Sequence, residues 1–134
     1  SQLSQVFLNI TTNAIYAAEK GESESPRVKI RSWSDQDNAY ISIADNGPGV
    51  DEADIERIFD PFYTTRTGGT GLGLALAAMI SRNHDAKWSV ANQETGGAAF
   101  TLLLPLSRVL MTTANQLESM LAVESSSKEM KHAH

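Results

Sequence analysis

The 134-residue sequence contains no cysteine, which excludes a disulfide framework and thiolate chemistry and permits a reducing cytoplasm. It also lacks any apolar run near the roughly 20 residues that span a bilayer, and no signal-peptide pattern opens it. Positive charge is scarce. Eleven Lys and Arg stand against sixteen Asp and Glu, for a net charge of −5, and the cations do not gather into a stripe. That argues against a nucleic-acid partner, whose phosphates are met by clustered cations. A polyanionic ligand would have to be held by backbone N–H groups, a helix terminus and a metal ion. What is present is an ordinary globular composition, 41% hydrophobic and 20% charged, of a length suited to one core.

The chain opens inside a helical pattern. Leu3, Val6, Phe7, Ile10, Ala14 and Ala17 recur at three- and four-residue intervals, and Gly21 with the Ser-Glu-Ser-Pro run at 23–26 ends the helix. Residues 28–33 and 40–44 read as a hairpin of two strands around the turn residues 35–38. Asp51 is a good N-cap for a short helix reaching Phe59. Pro61 to Thr70 reads as a loop, and Leu72 to about Asn83 as an apolar helix that should be largely buried. Two further strands, 87–91 and 98–104, flank a turn at 92–97. Leu110, Ala114, Leu117 and Leu121 lie at helical spacing, and from Ser125 the chain is polar and expected to fray. This order predicts a two-layer α/β sandwich: a mixed, mostly antiparallel sheet covered on one face by about three helices.

Three constellations carry chemistry. Gln5, Asn9 and Asn13 lie four apart, on one stripe of the first helix. Asn is a poor helix-interior residue, so the stripe needs a reason: carboxamide oxygens for a hard cation such as Mg²⁺, or amides tying down neighbouring loops. Asp45-Asn46-Gly47-Pro48-Gly49 follows a strand, and presents a carboxylate beside glycines that let another group approach. The alternative is a plain tight turn. Thr67 to Leu74 runs glycine-rich straight into a helix, whose unpaired first N–H groups and dipole suit an anion. No Lys-Ser or Lys-Thr pair follows, so it is not a Walker loop, and no βαβ unit surrounds it, which disfavours a dinucleotide turn.

In this order, the three pieces resemble the ATP-binding catalytic domain of sensor histidine kinases, within the superfamily that includes gyrase, MutL and a heat-shock chaperone. QVFLNITTNAIYAA is similar to that family's asparagine box, DNGPGV to its first glycine box, IFDPFYTTR to its phenylalanine box and GGTGLGLALAAMI to its second glycine box. GGAAFTLLLPL resembles its closing strand, and the short loop between Phe62 and Gly71 is most similar to nitrogen-regulator-type kinases. The resemblance implies ATP and Mg²⁺ as ligands. It implies Asn13 on the metal with Asn9 beside it, Asp45 on the adenine amino group, and Gly47, Gly49 and Val50 shaping the pocket. Phe59 and Phe62 would anchor a lid. Arg66 would meet a phosphate, and Thr70, Gly71, Leu72, Gly73 and Leu74 would face the phosphates. Asn9, Asn13 and Arg66 are thereby the expected catalytic residues.

The sequence departs from the family in places. Tyr16 stands where many relatives carry a basic residue. Ala98 and Ala99 stand where a Ser or Thr often precedes the Phe of the last strand, and the usual His-Gly-Gly reads His84-Asp85-Ala86. The family's first strand and its helical hairpin with the phosphorylated His find no match, and neither His132 nor His134 has an acceptor's setting. The expectation is an excised catalytic domain at 1–106 and a tail at 107–134 with an amphipathic helix and a disordered end. The expected partners are the phosphoacceptor hairpin of the same kinase, dimeric when intact, and a downstream response regulator. The domain is expected in the cytoplasm without membrane contact, the anchoring of the intact protein being open. A superfamily ATPase and a degenerate nucleotide-binding module are the alternative readings. An ATPase would place a water-activating Glu where Asn9 stands, and an amide cannot take up that proton.

Overall fold

The computed structural model describes residues 2–60 and 73–132. Helix α1 spans Gln2–Lys20, strand β1 Val28–Ser34 and strand β2 Asn38–Asp45. After a 3₁₀ turn at Glu52–Asp54 come helix α2 (Gly73–Asn83), strands β3 (Lys87–Asn92) and β4 (Ala98–Pro105), and helix α3 (Leu106–His132). The four strands form one sheet in the order β1-β2-β4-β3. Every pairing is antiparallel, so the parallel component of the expected mixed sheet is not found among the described residues.

Strand β4 shows why this chain makes a sheet with one covered face. Ala98, Phe100, Leu102 and Leu104 are buried, while the alternate residues are only partly so. On the covered face, Ile43 of β2 and Phe100 of β4 meet Val6, Ile10 and Ala14 of α1 and Ala77 and Ile80 of α2. The four-residue recurrence Val6, Ile10, Ala14, Ala18 gives α1 its buried stripe. Truncating Phe100 to Ala in this cluster would cost about 3–5 kcal/mol.

Two expectations are corrected here. The apolar composition of α2 predicts near-complete burial, yet only Ala77, Ile80 and Ser81 are buried, and Met79 is 48% exposed. The helix lies in a single layer on the sheet, and no described element covers its far side. The helix expected from Asp51 to Phe59 is a 3₁₀ turn followed by further turns. Its bonds run i to i+3, Asp54 N–H to Asp51 O (2.8 Å), Arg57 N–H to Asp54 O and Asp60 N–H to Arg57 O. Asp51 does cap it, accepting from Ala53 N–H.

The tight turns are closed by side chains. Between β1 and β2, Asp35 accepts from the N–H groups of Asp37 (2.9 Å) and Asn38 (2.8 Å) and from the Tyr40 hydroxyl (2.8 Å). These bonds favour the carboxylate and hold its pKa below the ordinary aspartate range. Helix α2 ends in a Schellman cap, with Ala86 N–H on Ser81 O (2.8 Å) and Asp85 N–H on Arg82 O (3.1 Å). Asp85, at φ 57°, takes the left-handed position that glycine usually fills, and its carboxylate accepts from Arg108 Nε at 2.8 Å. His84 Nδ1–H donates to Ile80 O (2.9 Å) and so caps one of the last carbonyls of α2. Helix α3 starts against this corner, with Val109 packed on Leu102 and Leu104. It then continues through the polar stretch after Ser125, where the sequence leads one to expect fraying. Glu, Lys and Met at 128–131 are good helix formers. No helix among the described residues is long and apolar enough to cross a membrane.

Candidate functional site

The stripe predicted on α1 runs between two of the three predicted constellations. Near its start, Gln5 Nε2 donates to Asn9 Oδ1 (3.1 Å), and Asn9 Nδ2 donates to the carbonyl of Gly73, the first residue of α2 (3.1 Å). Two turns further on, Ala17 lies against Gly47, where a Cβ would collide with the Ala17 carbonyl. Glycine at 47 is therefore what lets the loop after β2 close on α1. Asn13 sits between these contacts, about 6 Å along the helix axis from Asn9 and from Ala17. It is half-buried, and its carboxamide has no hydrogen-bond partner among the described residues.

At the end of β2, Asp45 is 3% exposed. Its Oδ1 accepts from Gly47 N–H (2.9 Å) and, less closely, from Ala98 N–H (3.3 Å). Its Oδ2 has no hydrogen-bond partner among the described residues. A carboxylate fixed by one oxygen and open at the other is an acceptor for a ligand N–H.

Asn46, Asn92, Gln93 and Gly97 complete this corner, and sequence reasoning did not single them out. Asn46 ties the loop before β1, accepting from Arg27 N–H (2.8 Å) and donating to Ser25 O (2.9 Å). Asn92 clamps Val50 by both backbone groups, accepting from its N–H (2.8 Å) and donating to its carbonyl (2.6 Å). Gln93 Nε2 donates to the Asp45 carbonyl (3.0 Å). Gly97 has φ +85°, and a Cβ there would collide with the same carbonyl.

Val50, Phe59 and Leu74 are half-buried against the main core, and Phe59 meets Phe100 edge to face, with centroids 6.1 Å apart. Asn9, Asn13, Asp45, Gly47, Gly49, Val50, Phe59, Gly73 and Leu74 thus all lie on α1, α2 and the loop between β2 and Phe59. Phe62, Arg66, Thr70, Gly71 and Leu72 lie outside the described residues. No group of three His, Cys, Asp or Glu among the described residues is placed to hold a metal. What the described residues offer instead is the Asn13 amide, which has no hydrogen-bond partner among them. Mg²⁺ suits such a site, because it takes few protein ligands and shares the oxygens of a bound phosphate.

Residues 1–108 match the family model described as histidine kinase-, DNA gyrase B- and HSP90-like ATPase. Over 106 residues the chain is 44% identical to the signal transduction histidine-protein kinase AtoS of Escherichia coli (strain K12), which covers 78% of this chain and 17% of that protein. It is 39% identical to sporulation kinase E of Bacillus subtilis (strain 168), covering 79% and 14%. Among solved structures, it is similar to the nucleotide-free catalytic domain of histidine kinase ThkA, at a TM-score of 0.67 and 35% identity over 78% of this chain and 66% of that one. It is similar also to full-length ShkA in complex with AMPPNP, at 0.66 and 30% identity over 78% and 21%. The chain therefore spans less than a fifth of the length of these two curated relatives.

Proposed function

Because this chain belongs to the histidine kinase-, DNA gyrase B- and HSP90-like ATPase family, we propose that it binds ATP with Mg²⁺ and donates the γ-phosphoryl group to a histidine on a separate helical hairpin. The observation that carries the reading is the α1 stripe. It joins the Asp45 turn to the start of α2, and Asn13, without a hydrogen-bond partner among the described residues, lies between them. Asp45 Oδ2 would accept from the adenine amino group. Val50 and Leu74 would line the base pocket, and the first N–H groups of α2 would face the phosphates. Mg²⁺, once bound, would neutralise charge on the transferring group, with Asn13 as its protein ligand. Asn9, already engaged with Gly73, would set the approach of α2 to α1. Arg66 is the side chain proposed to meet a phosphate, and Phe59 and Phe62 the anchors of a lid.

The catalytic contribution is positioning and charge stabilisation, since phosphoryl transfer chiefly needs an aligned donor, a metal and a nucleophile. A neutral imidazole already carries its lone pair near pH 7, so no strong base is required of this chain. The hairpin, dimeric in an intact kinase, and a response regulator that takes the phosphoryl group onward are the proposed partners. ATP as donor sets the reaction in the cytoplasm. Residues 1–106 are proposed as the catalytic unit.

The test is radiolabelled ATP supplied to this chain with and without an added hairpin, followed by acid treatment. Acid-labile label on the hairpin, rising with its concentration, is expected, because separate domains lose the effective concentration of a tether. Acid-stable label on the chain itself, or vigorous hydrolysis without the hairpin, would overturn the reading.

A further inference from the structure

Asp45 Oδ2 has no partner on the β3–β4 hairpin, yet two adjacent amide side chains there, Asn92 at the end of β3 and Gln93 in the turn, grip the Asp45–Val50 segment at both ends. Gln93 holds the carbonyl of Asp45, and Asn92 holds both backbone groups of Val50. Gln93 is itself fixed, its N–H donating to Gly97 O (2.8 Å), and Ala98 N–H reaches Asp45 Oδ1 from the same turn. Five of the bonds that orient this corner therefore involve residues 92–98.

We infer that Asn92 and Gln93 are positioning residues that set base selectivity, by holding Asp45 Oδ2 and the Val50 wall at a fixed separation before nucleotide arrives. The inference rests on Asp45 being the adenine acceptor. A hydrogen bond discriminates between bases only if its acceptor cannot shift to suit the wrong one. A carboxylate on a loose loop would turn away from a base carrying an oxygen where adenine carries an amine. One pinned at the Asp45 carbonyl and at Oδ1 cannot, and it repels that oxygen. Selectivity is then a property of the brace as much as of the acceptor.

The experiment compares the calorimetric affinities of the intact chain for ATP and for inosine triphosphate, in which an oxygen replaces the amine. Wild type, Gln93→Met and Asn92→Ala are measured alongside inorganic tripolyphosphate as a base-free probe. Gln93→Met keeps the side chain's length and removes the donor. Each variant is expected to lower the ATP-over-inosine-triphosphate ratio by about two- to tenfold, leaving tripolyphosphate binding unchanged. A merely structural role would weaken all three ligands alike and leave the ratio where it was, and that result would overturn the inference. Wild type without any preference would remove the adenine role of Asp45, and the brace's function with it. Gln93→Glu, which turns an acceptor toward the Asp45 carbonyl, provides a second variant at the same position and is expected to lower the ratio further than Gln93→Met.

Discussion

The two ends of the α1 stripe differ in how much of their hydrogen bonding the chain closes by itself. At the Asp45 turn, the carboxylate, its carbonyl and both backbone groups of Val50 are held by residues of the β3–β4 hairpin. Toward α2, Asn9 makes one bond across to Gly73, and Asn13 makes none among the described residues. The first end is preorganised, so a base meeting it orders little protein and keeps most of its contact energy. The second is left for the ligand to complete, as suits phosphates that arrive with their own metal. On the proposed function, selectivity would belong to the braced end and metal dependence to the other.

The largest effect that would break this comparison is expected at Gly97. A Cβ there meets the Asp45 carbonyl on a backbone with positive φ, so Gly97→Ala combines overpacking with left-handed strain. Together these are worth about 2–5 kcal/mol. The denaturation midpoint should fall steeply, and ATP binding should go with it. A variant that is stable and binds normally would mean the corner is not braced as described.

Next comes Asp45→Ala, which removes the proposed charge-assisted bond to adenine. ATP should bind about ten- to a hundredfold more weakly, for a bond of roughly 1.5–3 kcal/mol. GTP should compete poorly on the wild type. Equal competition by GTP, or normal ATP binding by the variant, would reduce Asp45 to a turn residue and erase the contrast from the base side.

On the open side, Asn13→Ala should weaken ATP binding on the order of tenfold with Mg²⁺ present and hardly at all in chelator. Calorimetry under both conditions decides. An equal loss under both would remove the metal from Asn13.

How much of this was legible in the sequence depends on separation along the chain. Alternation in Ala98–Leu104 and the four-residue recurrence in α1 are local patterns, and both elements form where those patterns place them. Asn9, Asn13 and Asp45 were legible because each is costly or unusual in its own element. Asn92 and Gln93 were not. In Asn-Gln-Glu-Thr-Gly-Gly they look like any polar turn, and their partners are 42 and 48 residues away. The fate of α2 was misjudged for a related reason. Apolar composition reports that a helix needs cover on one side, but not whether anything stands over the other. Leu76 and Met79 show that here it does not among the described residues.

The smallest effect, and the sharpest use of the comparison, is expected at Asn9. Both asparagines lie on one stripe, and composition gives them the same chemistry, yet the structure commits one and gives the other no partner among the described residues. Asn9 Nδ2 holds the carbonyl of Gly73, and its Oδ1 already accepts from Gln5, so both ends of this side chain are engaged before any ligand arrives, with one lone pair left on the oxygen. If its task is to hold the start of α2 against α1, Asn9→Ala loses a net bond of about 0.5–1.5 kcal/mol. ATP affinity should then fall by about two- to tenfold, through a shifted α2, and by the same factor with Mg²⁺ or with chelator. That metal-blind loss distinguishes it from Asn13→Ala, whose deficit should vanish in chelator. Asn9→Asp supplies the sign check. It puts a carboxylate oxygen against the Gly73 carbonyl, so a positioning role predicts weaker binding than Asn9→Ala, whereas a metal ligand would gain from the added charge. Tighter Mg²⁺-dependent binding by Asn9→Asp would move the metal one turn along the helix and make the bond to Gly73 a resting contact that nucleotide displaces.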